Sequence, residues 1–297
     1  MSSLTHRLTE KGLITPPSFV PSNVQYETVM GSMAYGVNED DSDEDVYGFC
    51  VPTREIIFPH TAGVIQGFDS QVQKFDQFQQ HHIKFSDKKI YDLTIYNIIK
   101  YFRLCADCNP NIIDSLFTPQ RCIKHITQLG QMVRENRKMF LSKLSWHKFK
   151  GYSYSQVKKI HSKETSSSPK RQESRNRYGY DIKYAYHVVR LLNEVEQILV
   201  EGDLDLERNR EQLKSIRRGE WTKEDIEVYF TDKEKHLEKI YLECDILPYA
   251  PRESEIKQLL LNCLEHHYGS LEKVLVVKDN STRALRKIKE ITDSIFL

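Results

Sequence analysis

The feature of this chain best suited to chemistry is a Gly-Ser pair, Gly31-Ser32, followed after ten residues by Asp43-Glu44-Asp45. Carboxylates at i and i+2 of an extended segment project to the same side, where both can ligate one or two divalent cations. Hard oxygen donors favour Mg²⁺ or Mn²⁺. A Gly-Ser turn just upstream offers backbone N–H groups and a hydroxyl, the donors that hold a nucleotide's phosphates. Together these parts suit nucleotidyl transfer, in which metal neutralises triphosphate charge, activates an acceptor hydroxyl and stabilises the departing pyrophosphate. An Asp-x-Asp pair inside an acidic run is a weak sign by itself. Residues 38–45 hold six acids, and Asp40, Asp41 and Glu44 also read as a solvated loop. Order separates the two readings. A β-rich run, Tyr26–Met30, stops at Gly31-Ser32, and Asp45 leads directly into the apolar strand candidate Val46–Val51, closed by Pro52.

A second constellation lies on the strongest predicted helix, Asp181 to Gly202. Tyr184, Val188, Leu191, Leu192, Val195, Ile198 and Leu199 form its apolar face, and Gly202 sits where a C-terminal glycine stop belongs. Lys183, His187, Arg190 and Glu194 fall at i, i+4, i+7 and i+11, a row beside that apolar stripe. Facing a cleft, Lys183 and Arg190 suit a triphosphate or acceptor phosphate, and His187 a phosphate or ribose hydroxyl. The competing reading is a solvated helix face. Residues 141–190 hold 12 Lys/Arg against Glu164, Glu173 and Asp181. Lys158, Lys159 and His161 extend this positive surface. Residues 164–177 contain no aliphatic or aromatic side chain, which predicts a mobile loop whose Lys170, Arg171, Arg175 and Arg177 close over a substrate or contact nucleic acid.

The elements that must position these groups divide the 297 residues into a small α/β part, 1–120, and a helical part, 121–297. A short helix is predicted over Thr5–Ile14, a third strand or ribbon within 71–85, and a short strand Ile90–Leu93 leading into a helix from Ile95 to Cys105. Asn109-Pro110-Asn111 punctuates before another helix through Phe117. Helices are then predicted over Ile123–Phe140, Leu144–His161, Lys223–Glu243, Glu253–His267 and Thr282–Phe296. The chain is 39% hydrophobic and 29% charged, an ordinary globular composition. No apolar run approaches the roughly 18 residues a membrane span needs, and the N-terminus lacks a secretory layout. Six scattered cysteines are unlike a disulfide framework, which points to reduced thiols, no disulfide-linked partner and a cytoplasmic protein.

With those residues in view, the chain resembles a known group. Gly31-Ser32-Met33-Ala34-Tyr35-Gly36 and Ser42-Asp43-Glu44-Asp45-Val46-Tyr47-Gly48 are similar to the signature of predicted nucleotidyltransferases of the DNA-polymerase-β superfamily, and within it to the RNA-repair-associated family RlaP. Further elements follow in the same order: Asp92-Leu93-Thr94-Ile95-Tyr96, the Asn109-Pro110-Asn111 turn with Asp114 behind it, Phe149–Gln156, Asp181–Leu192, and Gly219-Glu220. The resemblance spans about Gln25 to Glu220. It departs after the second aspartate, where the family often carries Arg and this chain has Val46.

The resemblance implies an α+β fold: a polymerase-β-type α/β domain packed against a helical C-terminal domain. It implies metal roles for Asp43 and Asp45, phosphate binding by Gly31 and Ser32, and a third carboxylate acting with two Mg²⁺ or Mn²⁺ ions, for which Asp92 is the candidate. The alternative for Asp92 is a helix N-cap. Tyr35, Tyr152, Lys158 and Lys159 are candidates for the acceptor side. The activity implied is transfer of NMP from an NTP, ATP among them, to an acceptor hydroxyl with release of pyrophosphate. The basic segment and the RNA-repair association favour an RNA or tRNA 3′ end. Transfer to a protein side chain or small molecule is a second reading. A catalytically inert nucleotide- or RNA-binding module is a third. Cys105-x-x-Cys108 lacks a second ligand pair for zinc, and His81-His82 places neighbours on different faces, poor geometry for a shared ligand.

Overall fold

The computed structural model describes residues 2–38, 43–64, 74–85, 89–162 and 169–271, with positions 288, 291 and 292 beyond them. The acids Glu39, Asp40 and Asp41, the side chain of Lys170 and, apart from those three positions, the helix predicted over Thr282–Phe296 lie outside the described residues.

In chain order, helix α1 (Leu4–Glu10) and the single turn α2 (Val20–Asn23) lead into β1 (Val24–Val29). After the Gly31–Met33 turn come β2 (Glu44–Cys50), the single turn α3 (Arg54–Ile57), β3 (Gln77–Lys84) and β4 (Ile90–Asn97). Helices α4 (Ile98–Ala106) and α5 (Pro110–Phe117) precede β5 (Ile123–Ile126). The rest is helical: α6 (Gln128–Glu135), α7 (Leu144–His161), α8 (Pro169–Tyr178), α9 (Ile182–Glu201), α10 (Arg210–Arg217), α11 (Lys223–Glu243) and α12 (Glu253–Tyr268). The fold is α+β, as the resemblance implies.

One mixed sheet of five strands runs in the order β3-β4-β2-β1-β5. Strands β2 and β4 are parallel, and the other pairs are antiparallel. Every residue of β1 is buried, because it lies inside the sheet between β2 and β5. The cost of burying Glu27 there is offset by local donors. Its carboxylate accepts from Leu4 N (2.6 Å), Thr5 N (2.9 Å) and the Thr5 hydroxyl (2.5 Å), capping α1 onto the sheet. Gly48 has no side-chain option, since a Cβ there would lie 2.1 Å from the Tyr26 carbonyl oxygen.

Three expectations are corrected. Residues 123–126 form β5 rather than the start of a helix, so the sheet does not end at residue 120. Strand β4 runs on to Asn97, and Asn97, not Asp92, caps the following helix by accepting from Ile99 N (3.0 Å). Residues 169–177, read as part of a mobile loop, belong to the helix Pro169–Tyr178. That helix is held from outside: Ser174 Oγ accepts from Ile182 N (3.1 Å), and the Arg171 guanidinium donates to the Tyr184 hydroxyl.

Helix α9 is the axis of the helical half, with α7, α8, α10 and α11 against it. Asp181 caps its start by accepting from Lys183 N (2.9 Å), and Gly202 closes its end in a left-handed conformation (φ 60°). Among the described residues no helix is long and apolar enough to cross a membrane.

Candidate active site

Register builds the acidic centre. In the parallel pair β2·β4, Asp45 stands beside Asp92. Asp43, just before the start of β2, lines the same cavity, so three carboxylates meet there. The intervening Glu44 points the opposite way and is buried, paired with Lys89 and with Lys124 Nζ at 3.0 Å. Glu44 is therefore not part of a solvated acid run. It anchors the strand while its neighbours face the site.

The Gly31 turn closes over this centre. Met30 N donates to Asp45 O (2.7 Å), which joins the start of the turn to β2. Gly31 has φ 66°, and a Cβ there would lie 3.0 Å from Asp45 Oδ2. Glycine is required both for the left-handed backbone and for the close approach to the carboxylate. Asp45 keeps a solvent-accessible edge, yet its carboxyl is held above the usual carboxylate range. Desolvation is the largest cause; Asp92 and Asp43 add repulsion, and Lys183 opposes it.

The donor set fits a divalent cation by its chemistry. Like charges on one face raise one another's proton affinity, and a cation relieves that repulsion. Asp43, Asp45 and Asp92 are the residues that would hold it. Among the described residues, however, no group of three ligating side chains is already focused on one point. Asp92 is engaged elsewhere: Oδ2 contacts His81 Nδ1 (3.1 Å), and Oδ1 accepts from His82 N (2.7 Å).

Every residue named for the catalytic or nucleotide side, together with Tyr35 and Tyr152, lines one cavity of about 700 Å³. Lys158 and Lys159 do not line it. They are exposed at the end of α7, lying over the rings of Tyr154 (4.7 Å) and Tyr184 (5.5 Å). Lys183 is exposed toward the cavity and close enough to influence Asp45. His187 is held well below the usual imidazole range by burial first and then by Arg190, Lys183, Arg171 and Lys159. A neutral ring suits a hydroxyl partner better than a phosphate.

Arg190 and Glu194 depart from the expected open helix face. Helices surround α9, and Arg190 retains only 2% of its accessible surface. Its Nη1 donates to Asp114, to the Tyr35 hydroxyl (2.7 Å) and to Glu194 (2.9 Å), while Tyr35 donates to Asp114 Oδ2 (2.7 Å). Burial, opposed by Arg190, raises the Asp114 and Glu194 carboxyls, and it also raises the Tyr35 phenol. Burial opposes the charge on Arg190, but Glu194, Tyr35 and Asp114 outweigh it and hold the guanidinium well above its ordinary value. This cluster locks the Gly31–Gly36 turn to α5 and α9. Tyr35, considered above for the acceptor side, has its hydroxyl committed there.

Arg171 and Arg177 of α8, expected to close over a substrate, line the cavity. Spacing alone did not mark two further contributors: Tyr178 of α8 and Arg217 of α10 also line it, and Arg217 donates to the Val37 carbonyl beside the turn. His81 reaches Asp92 because β3 is bulged at that point, a feature that residue spacing does not reveal. All six cysteines are free and most are buried, Cys105 and Cys108 among them.

A family model, RlaP, described as the RNA repair pathway DNA polymerase beta family, matches residues 11–247. Among solved structures, a nucleotidyltransferase-like protein from Exiguobacterium sibiricum 255-15 is similar at 11% identity, covering 80% of this chain and 73% of its own, with a TM-score of 0.28. No curated protein matches the chain.

Proposed function

Because the chain belongs to RlaP, the RNA repair pathway DNA polymerase beta family, we propose that it transfers NMP from an NTP to an acceptor hydroxyl, an RNA 3′ end, and releases pyrophosphate. The observation that carries the reading is the register of Asp45 beside Asp92, with Asp43 lining the same cavity, next to a left-handed glycine turn and rimmed by Lys183, Arg177 and Arg217.

In the step proposed, the acceptor oxygen attacks the α-phosphorus. A new O–P bond forms, the bond from the α-phosphorus to the bridging oxygen breaks, and that electron pair leaves on pyrophosphate. The acceptor's proton passes to Asp92. Each of its oxygens accepts one hydrogen bond here, and a carboxylate has about four acceptor positions. A bound Mg²⁺ or Mn²⁺ ion would neutralise triphosphate charge and activate the acceptor oxygen. Backbone N–H groups and the Ser32 hydroxyl hold the triphosphate, and Lys183 supplies cationic charge above it. His187, neutral, accepts or donates to a ribose hydroxyl.

Labelled NTPs incubated with Mg²⁺, with and without an RNA pool, test this reading. Label should pass to RNA with stoichiometric pyrophosphate, and Asp43→Asn should abolish transfer while leaving the circular dichroism spectrum unchanged. Label on protein alone would overturn the RNA acceptor. Wild-type turnover by Asp43→Asn would overturn the carboxylate centre.

A further inference from the structure

Strand β3 is an edge strand, yet one of its faces carries an ordered ladder of side chains. Gln77, Gln79 and His81 alternate along the strand and share a face. Lys100 Nζ donates to Gln77 Oε1 (2.9 Å), and Gln77 Nε2 donates to Gln79 Oε1 (3.0 Å). Gln79 Nε2 lies 2.8 Å from His81 Nε2, and His81 Nδ1 lies 3.1 Å from Asp92 Oδ2. The two ends dictate the direction of the whole ladder. An ammonium can only donate, so Gln77 and then Gln79 must present their carbonyl oxygens backward and their amide nitrogens forward. An amide nitrogen can only donate, so His81 Nε2 must accept and Nδ1 must carry the proton. That proton goes to Asp92.

The bulge supplies a second contact. Gln80 opposes Leu93 and Ile83 opposes Tyr91, which leaves both His81 and His82 across from Asp92. His82 adopts a left-handed backbone (φ 55°) and turns its N–H onto Asp92 Oδ1 at 2.7 Å. A regular strand would set one residue opposite Asp92. The extra residue and the unfavourable backbone conformation both serve to grip one carboxylate by its two oxygens.

We propose that His81 is a positioning residue for nucleotidyl transfer, fixing the Asp92 carboxylate together with the His82 N–H, and that Gln79 sets its tautomer. The inference deepens the function proposed above and rests on it only for the work given to Asp92. A His-Asp contact with a free imidazole edge already favours Nδ1–H, because a carboxylate only accepts; the Gln79 amide donor holds Nε2 as an acceptor and makes that choice exclusive.

Nitrogen-15 NMR of the full chain reads the tautomer directly. His81 should show the Nδ1–H form, and Gln79→Leu should shift population toward Nε2–H. His81→Ala should lower kcat by about 10- to 100-fold, the usual effect of removing the hydrogen-bond partner of a metal-ligating side chain, with KM for the NTP little changed. His81→Asn, whose amide nitrogen can replace Nδ1–H, should recover most of the loss. In an Asp92→Asn background His81→Ala should cost nothing further, since both changes remove one unit. An Nε2–H form in the wild type, wild-type kcat in His81→Ala, or a fully additive loss on top of Asp92→Asn would each overturn the proposal. An intact Nδ1–H signal in a wild-type protein that transfers no nucleotide would sink the transfer reading instead, leaving the tautomer assignment standing.

Discussion

Asp45 and Arg190 show how differently two charged residues of one cavity relate to stability. Burial, with Asp92 and Asp43 beside it, raises the Asp45 carboxyl, so the folded state holds its proton to a higher pH than the unfolded chain does. Ionisation therefore works against folding: stability is lost as pH rises from the unfolded carboxyl range through the raised folded value. Without divalent cation, Asp45→Asn should melt at a higher temperature than wild type at pH 7, and should transfer no nucleotide. Calorimetry in EDTA checks this, and a lower Tm would contradict the repulsion described. Arg190 behaves in the opposite sense. One guanidinium serves two buried carboxylates and a phenol, and removing one partner of a buried ion pair costs about 3–5 kcal/mol. Arg190→Ala should lose that much in urea unfolding, whereas Glu194→Gln, which discharges the surplus carboxylate, should lose far less. Equal losses would show that the two acids are not in excess.

Elements explain which parts of the site were legible in the sequence. Strand β2 and helix α9 were readable because each carries a long, consistent pattern: strand polarity entered directly from Asp45, and a helix with both caps marked, Asp181 and Gly202. Strand β5 was not, because four residues with isoleucines at each end fit a helical turn as well as a strand. Only pairing with β1 decides it. Helix α8 is polar on every side, and such a segment gives no periodic signal of its own. Its order comes from Ser174 and Arg171 meeting the start of α9. The basic character of α8 carries a prediction. If its arginines meet a phosphate backbone, Arg177→Ala should weaken RNA binding and flatten the salt dependence by about one unit of slope. Anisotropy titrations at several KCl concentrations measure this, and an unchanged slope would place Arg177 outside the RNA path.

At the scale of the whole molecule, the ordered motifs place every catalytic and nucleotide candidate around one cavity. What they do not reveal is the three-way closure behind it, where Tyr35, Asp114 and Arg190 come from positions far apart in the chain. Nothing local marks such a contact. Charge counting even argues for exposure, because arginine and glutamate four residues apart usually mark a helix surface. The same closure predicts that the two halves unfold together. Fluorescence and far-ultraviolet circular dichroism should give coincident urea transitions, and separated midpoints would mean that the cluster does not couple them.

The late arrival of β5 bears on how the chain can be divided. Strand β1 is buried along its whole length, with β2 on one side and β5 on the other. A fragment ending at residue 120 would bare a row of unpaired amide and carbonyl groups on an otherwise buried strand, an open edge that recruits other chains. During synthesis that edge stays open until residues 123–126 emerge. A cut placed after Glu135 would seal the edge; one placed at residue 120, the boundary expected between the α/β and helical parts, would leave it open to aggregation.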